Sequence, residues 1–233
     1  HYESEPALQV SGEFLPFDQM GVLKGTLQVA DLKAQCRKYG VSITKYLAAA
    51  LLWSVIRTET DGKNLKKPAA LNLPVNLRSF SDSETLANFF AVVNISWPKG
   101  RAPENFREVL TNVSRQMDEQ IVKERLEETI SYNVSNEKKW YVRAIPLFIK
   151  HLAMELIFLR TSRAHTMTFS NIGPAKIRED LREDVEDFEL LVGASPKQRM
   201  KCGAVAYDGK LCLAFTSAMA ENRLPEVFFR FLE

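Results

Sequence analysis

Two apolar segments near the middle of the chain have the periodicity of β-strands. In residues 70–76, ALNLPVN, apolar and polar residues alternate, and in residues 89–97, FFAVVNISW, apolar residues occupy both faces as far as Asn94. The first pattern predicts a strand with two unlike faces, and the second predicts a strand covered by helices. Because Pro74 has no amide hydrogen, the first strand is expected at a sheet edge or at a bulge.

Helical and strand patterns alternate along the rest of the chain. Helices are predicted at residues 32–39, 43–57, 103–121, 147–160 and 225–232. Further strands are predicted at residues 22–29, 166–170, 188–192, 201–207 and 210–216. The Asp-Gly pair at 208–209 separates the last two strands and indicates a tight hairpin turn.

Helix-capping residues support several of these boundaries. Asp31 and Ser42 are expected to cap the first two helices at their amino ends, and Gly40 can take the left-handed conformation that ends the first one. Pro103 fits the first turn of the long third helix.

The order of elements predicts an α/β (α+β) sandwich, with helices packed on a mixed sheet that contains a hairpin. Residues 1–21 carry two prolines and little periodicity, so we expect a linker there that arrives from a preceding, missing N-terminal half. Residues 22–233 are expected to form a single domain.

The composition is that of an ordinary globular protein, with 45% hydrophobic and 26% charged residues. Lys plus Arg number 31 against 29 for Asp plus Glu, so no bulk charge favours nucleic acid or an anionic membrane as a partner. Three cysteines without CxxC spacing predict buried, reduced thiols in a cytoplasmic protein. No apolar stretch has the length and freedom from charge of a membrane span.

Three motifs, taken in order, resemble a known superfamily. They are PVNLRSF at residues 74–80, NFFAVVNI at 88–95 and TMTFSNIGP at 166–174. Together they resemble the second half of the CoA-dependent acyltransferase superfamily, which includes chloramphenicol acetyltransferase, alcohol acetyltransferases and condensation domains. The greatest likeness is to bacterial alcohol-acetyltransferase-like proteins. The resemblance implies a chloramphenicol-acetyltransferase-like half and an alcohol O-acetyltransferase that uses acetyl-CoA as co-substrate.

The chain lacks the catalytic motif of that superfamily. There the base is the second histidine of His-His-x-x-x-Asp-Gly, which lies in the first half of the full-length protein. None of His1, His151 and His165 is followed by Asp-Gly at this spacing. A positioned base contributes about 10² to 10⁴ in rate. We therefore expect no catalytic residue in this chain, an inactive fragment, and a partner half that carries a His-x-x-x-Asp-Gly motif.

The best candidates for substrate binding are Ser170, Asn171 and Gly173, where a predicted strand ends in a turn. A hydroxyl or carboxamide there could donate a hydrogen bond to a developing oxyanion, which is typically worth about 3 kcal/mol of barrier. The alternative is that these turn-forming residues bond their own backbone. The resemblance adds support to the first interpretation, because this strand lines the substrate tunnel in the superfamily, and it leaves both interpretations open.

Arg78 and Asn88 are candidates for binding the cofactor. A guanidinium can hold a phosphate of CoA or of a phosphopantetheine arm through its fork of donors. The alternative is an ion pair between Arg78 and Asp82 or Glu84 within the loop. A second candidate for an anionic cofactor is a basic cluster that can also be a solvated helix face, formed by Lys138, Lys139, Arg143, Lys150, Arg160 and Arg163.

Two further histidines have simple explanations. His151 and Glu155 lie four residues apart on a predicted helix, which is compatible with a surface pair or with metal or acid–base chemistry. No HExxH motif or cysteine cluster accompanies them, so we expect no metal. His165 is expected in a loop at the entrance to a strand.

Two alternatives to a CoA-dependent enzyme stay open. A condensation-type domain of the same fold would take its acyl group from a carrier protein, and a binding module of that fold would have no chemistry. Removal of a partner half can also expose an apolar face and promote dimers.

Overall fold

A computed structural model describes residues 5–79, 89–122, 124–126, 128 and 145–233. It contains one six-stranded mixed sheet in the order β1-β6-β5-β4-β2-β3. The strands are β1 (Gly21–Gln28), β2 (Ala69–Asn76), β3 (Phe90–Trp97), β4 (Met167–Pro174), β5 (Met200–Tyr207) and β6 (Lys210–Ser217). The parallel pairs are β2 with β4 and β4 with β5, and the other neighbours are antiparallel.

In the described residues the sheet is accompanied by the α-helices α1 (Val29–Tyr39), α2 (Ile43–Thr60), α3 (Phe106–Gln120), α4 (Leu147–Ser162) and α5 (Leu224–Leu232). The apolar α2 is buried along most of its length, where it packs against α3, α5 and β2. An all-round apolar helix needs cover on several sides, and α2 has it. The predicted α/β (α+β) sandwich is confirmed.

The first two helices begin and end as their capping residues dictate, with one exception. Ser42 accepts a hydrogen bond from the amide of Lys45 at 3.3 Å, and Gly40 ends α1 with φ of 66°. Asp31 was predicted to cap α1, and this is wrong. The helix begins at Val29, directly after β1, so Asp31 lies in its first turn. A carboxylate at this position still stabilises the helix by interacting with its dipole.

The long third helix begins later than predicted. Pro103 lies outside α3, so its predicted place in the first turn is wrong. The cap is Asn105, whose side chain accepts from the amide of Glu108 at 3.1 Å. An Asn side chain satisfies a free helical amide directly, which fixes the start of the helix at Phe106.

β2 lies inside the sheet, between β4 and β3, so the prediction of an edge strand is wrong. Ala70 directs its amide and carbonyl to Thr166, on the β4 side. Backbone direction alternates along a strand, so the nitrogen of Pro74 also faces β4. The pairing of β2 with β4 stops at Asn72, before the proline. The β2–β4 ladder thus ends before Pro74, the residue that has no amide hydrogen to donate to it.

Among the described strands, β3 forms this edge of the sheet and β1 forms the other. The prediction that both its faces are covered by helices is wrong, because Phe90 and Val92 are 52% and 43% exposed. The alternate residues Ala91, Val93 and Ile95 are buried on the helix side. The apolar run therefore reflects one packed face and one open face.

The predicted hairpin of β5 and β6 is confirmed. Asp208 and Gly209 both have positive φ, 45° and 77°, as a two-residue hairpin turn requires. Residues 188–192 were predicted as a strand, and this is wrong. They cross the sheet as irregular chain. The carbonyl of Val192 accepts a hydrogen bond from the hydroxyl of Thr216, and the carbonyl of Leu190 lies over Gly203.

Residues 5–20 contain little regular structure but are packed onto the domain. Ala7 and Val10 are buried, and the amide of Ala7 donates to the carbonyl of Arg163 at 2.9 Å. The expectation that residues 1–21 arrive from a preceding half stays a prediction. Within the described ranges, no single helix has the length and apolar composition to cross a membrane. Only the pair of α1 and α2, taken together, has this length and apolar composition, and the two helices are bent by 84° relative to each other.

Candidate functional site

The sheet opens into a gap between two of its parallel strands. β2 and β4 pair at two positions, Leu71 with Met167 and Asn72 with Thr168, and both strands then continue unpaired for several residues. On its other side β4 carries one more residue than β5 between Asn171 and Pro174, which shifts the register. A bulge of this kind bends the strand that carries it. The gap lies at the carboxyl ends of the strands, the usual place for ligands in open α/β sheets.

Two cavities border the gap, one on each face of the sheet. The cavity on the helix side measures about 380 Å³ and the opposite one about 390 Å³. Three residues line both cavities: Pro74, Asn76 and Asn171. The helix-side cavity is also lined by Thr44, Lys45, Leu73, Met117, Asp118 and Phe169, and the opposite one by Arg78, Phe89, Phe90, Ser170 and Ile172. The gap is therefore the place where the two cavities adjoin.

Asn171 is held by two hydrogen bonds. Its Nδ2 donates to Thr44 Oγ1 at 3.1 Å, and its Oδ1 accepts from the amide of Gly173 at 2.9 Å. The second bond is the self-bonded turn that the sequence left as an alternative. The first leaves the Thr44 O–H free to act as a donor, because its oxygen is the acceptor of this bond. Asn171 thus both shapes the strand end and orients a hydroxyl in the cavity lining.

The contribution of Thr44 was missed at the sequence level. Its only signal is its position two residues after the capping Ser42, which places it in the first turn of α2. Lys45 follows and forms an ion pair with Asp118 of α3, with Nζ and Oδ1 2.6 Å apart. This pair also lines the helix-side cavity. Since Asp118 is largely exposed, the pair stabilises the fold by no more than about 1 kcal/mol.

Ser170 and Asn171 do not face the same point. Successive residues of a strand point to opposite faces, and accordingly only Asn171 reaches the helix-side cavity while Ser170 lines the other one. Gly173 follows with φ of 74°, a conformation that glycine adopts without strain. Of the three predicted residues, Asn171 thus lines both cavities, Ser170 lines one, and Gly173 lines neither.

Arg78 lines the same cavity as Ser170. It lies in a short 3-10 helix, Leu77–Ser79, and its amide donates to Asn76 Oδ1 at 3.1 Å. Its role toward a phosphate stays a prediction. Asn88, Asp82 and Glu84 lie outside the described residues. So do Lys138, Lys139 and Arg143 of the basic cluster.

Neither His151 nor His165 lines a cavity at the gap. His151 is exposed on α4, where Glu155 lies 4.0 Å from Lys197. His165 precedes β4 at the end opposite to the gap, and burial lowers the pKa of its imidazole. Its Nδ1 is buried and has no hydrogen-bond partner among the described residues. Among all the residues that the structure describes, no three His, Cys, Asp or Glu side chains are grouped as metal ligands.

The sequence matches no protein-family model and no curated protein. Solved structures do match. The epimerization domain from the third module of tyrocidine synthetase B has a TM-score of 0.59 at 12% identity, over 99% of this chain and 51% of that chain. The cyclization-docking bidomain of a peptide synthetase from Sorangium cellulosum has a TM-score of 0.55 at 12% identity, over 99% and 45%. A wax ester synthase/diacylglycerol acyltransferase from Marinobacter aquaeolei has 0.55 at 11% identity, over 91% and 47%.

The chain spans about half the length of these structures. At such identities the likeness shows the fold, which is that of condensation domains and CoA-dependent acyltransferases. The fold inferred from the three sequence motifs is therefore confirmed, whereas the greater likeness to alcohol acetyltransferases stays a prediction.

Proposed function

We propose that this chain is the C-terminal half of an acyltransferase and that the gap between β2 and β4 is a wall of its substrate channel. The observation that supports this most is the early end of the β2–β4 ladder, which leaves cavities on both faces of the sheet next to Asn171. A channel lets an acyl donor and an acceptor approach one point from different sides. The reaction proposed first is O-acetylation of an alcohol by acetyl-CoA.

The proton-transfer group in this proposal comes from the partner half. A histidine base there removes the hydroxyl proton of the acceptor, the oxygen forms a bond to the acetyl carbonyl carbon, and the carbon–sulfur bond breaks. The proton then passes to the departing CoA thiolate. On this chain the Thr44 hydroxyl, held by Asn171, is the proposed donor toward the oxyanion. Arg78 is the proposed contact for a phosphate of CoA.

The experiment compares this chain with the longer polypeptide encoded by its natural upstream region. Acetyl-CoA consumption with a panel of alcohols is expected only for the longer form. Within that form, Ser170→Trp fills one cavity and is expected to lower the rate, whereas Val22→Trp, at an exposed position on β1, is the matched control. Turnover by the short chain would overturn the division of labour. Equal rates for Ser170→Trp and its control would exclude the gap as the channel.

A second candidate function uses an acyl carrier protein in place of CoA. It is favoured by the matching structures, several of which come from peptide synthetases. A carrier loaded with a phosphopantetheine thioester would then support turnover that acetyl-CoA does not. If neither donor reacts in the longer form, the chain is a binding module of this fold. Because removal of the proposed partner half can expose an apolar face, we also propose that the chain alone can dimerise.

A further inference from the structure

Four cationic side chains meet at the edge of the sheet opposite to the gap. Lys67 precedes β2, Arg163 precedes β4, and Lys197 and Arg199 precede β5. Because these three strands are parallel to one another, their amino ends lie on the same edge. The topology therefore brings together cations that are far apart in the sequence, of which the sequence analysis named only Arg163, as part of a different basic cluster.

These four side chains line one cavity of about 480 Å³, which we call the basic cavity. Its lining contains no Asp or Glu among the described residues. The chain as a whole has a formal charge of only +2. An excess of basic residues in the chain therefore does not explain why four cations and no acid line one cavity. Like charges held together repel one another, and a bound anion removes this repulsion.

Packing and main-chain contacts hold parts of this cluster in place. Arg199 donates from Nη1 to the carbonyl of Val10 at 2.8 Å and lies over the ring of Phe14. The carbonyl of Arg163 accepts from the amide of Ala7, which fixes the main chain at this position and leaves the exposed side chain free to reorient. Lys67 and Arg163 form no ion pair with any described acid, and Lys197 only approaches Glu155 at 4.0 Å. The positive charge of the basic cavity is thus largely uncompensated.

We propose that the basic cavity binds a phosphate group. Guanidinium groups match the oxygens of phosphate with paired donors, and ammonium groups add charge and further donors. Two of each surround a space large enough for a phosphate or diphosphate. A single carboxylate would leave most of this charge unpaired. A phosphate ester is therefore the class of ligand that fits best.

This site is separate from the gap. Lys67 and Asn76 lie at opposite ends of β2, and nine residues of extended chain span about 30 Å. Arg78 and the basic cavity consequently cannot hold the same phosphate. The inference does not depend on the proposed acyl transfer, and its test needs no turnover.

The phosphate can belong to a soluble ester or to a phospholipid headgroup. Leu159 of α4 lines the basic cavity, and the same helix exposes Phe148, Leu152 and Leu156 to between 60% and 73%. Apolar side chains beside a phosphate site are what a lipid surface contacts. The experiment therefore includes an arm for each source.

Binding of inorganic pyrophosphate is measured by isothermal titration calorimetry at low salt. Saturable binding is expected for the wild type, and Lys67→Gln with Arg163→Gln is expected to weaken it at least about tenfold, because two charge-assisted contacts are lost. Lys33→Gln with Arg37→Gln, on the exposed side of α1, changes the net charge equally and is the matched control. Arg199 is left intact because it also packs on Phe14.

Co-sedimentation with phosphatidic acid vesicles and with neutral phosphatidylcholine vesicles forms the second arm. A lipid headgroup is identified if the wild type sediments with the anionic vesicles only. The Lys67/Arg163 double variant must then fail to sediment, and pyrophosphate must compete with the vesicles. Pyrophosphate binding without sedimentation identifies a soluble ester. The proposal is overturned if neither probe binds, or if the control variant weakens binding as much as the double variant does.

Discussion

Asn171 Nδ2 lies 3.1 Å from Thr44 Oγ1, and this hydrogen bond ties the end of β4 to the first turn of α2. The other end of the same carboxamide accepts from the amide of Gly173 and closes a turn. One side chain therefore positions both the strand end and the helix that border the gap. The shape of the candidate channel depends on this residue more than on Ser170, whose side chain forms no hydrogen bond with the described residues.

Asn171→Ala is expected to lower the free energy of unfolding by about 1–3 kcal/mol, since two partly buried hydrogen bonds are lost. Thr44→Val removes only one of them and should cost about 1 kcal/mol. Urea denaturation followed by circular dichroism measures both. Asn64→Ala, at an exposed loop position, is the control. A cost for Asn171→Ala no greater than that of the control would mean that the two bonds do not form in solution.

Two glycines of the sheet should respond differently to alanine. At Gly203 a Cβ would lie 2.1 Å from the carbonyl oxygen of Leu190, so Gly203→Ala must displace the chain that crosses β5. At Gly173 a Cβ meets nothing within 4 Å, and only the positive φ opposes it. Gly173→Ala should therefore cost about 1–2 kcal/mol, and Gly203→Ala clearly more. Thermal denaturation of the two variants side by side checks the order, and the reverse order would contradict the packing of residues 188–192.

Local signals in the sequence were enough for most elements of the fold. Ser42, Gly40 and the Asp208-Gly209 turn each act through their own backbone neighbours, so their effects can be read without knowing the rest of the structure. Residues 188–192 could not be assigned in this way. Their apolar pattern suits a strand. Whether these residues pair with a neighbouring strand or cross the sheet depends on Gly203 of β5, which lies outside this segment.

The candidate site was predictable only in part, for the same reason. Asn171 and Gly173 were identified because a strand ending in a turn is visible locally. The gap itself depends on where β2 and β4 separate, and the contribution of Thr44 depends on a contact across 127 positions of sequence. The composition of β2 indicated an anomaly at Pro74, but not whether a sheet edge or an opening would accommodate it.

The exposed edge of the sheet is blocked by two glutamines of α3. Gln116 donates to the carbonyl of Ser96 at 2.8 Å and accepts from its amide at 3.0 Å. Gln120 forms the same pair of bonds with Asn94, at 2.8 and 3.3 Å. Each carboxamide thus takes the place of a neighbouring strand, which protects the edge from pairing with another chain.

The double substitution Gln116→Ala and Gln120→Ala is expected to expose this edge. Alanine favours the helix, so any loss of stability must come from the backbone groups of β3. Those groups then become free to pair with another chain, and we expect concentration-dependent association in light scattering together with a lower unfolding midpoint. Gln35→Ala, on the exposed surface of α1, is the control for the gain in helix propensity. A variant that stays monomeric and as stable as the control would show that the two carboxamides do not protect the edge.

His165 gives the chain a defined pH dependence. Burial lowers the pKa of its imidazole below the ordinary value of about 6.5, and no described group accepts a hydrogen bond from its Nδ1. Well above the ordinary pKa of about 6.5, both the folded and the unfolded chain carry a neutral imidazole. As the pH falls below this value, the unfolded chain binds a proton that the folded chain resists, so stability decreases until the lowered pKa is reached. We expect His165→Gln to flatten the fall in unfolding free energy between about pH 7.5 and pH 5.5. Chemical denaturation across this range measures the slope, and His151→Gln on exposed α4 is the matched control. An unchanged slope in His165→Gln would mean that the imidazole is hydrated or hydrogen-bonded in solution.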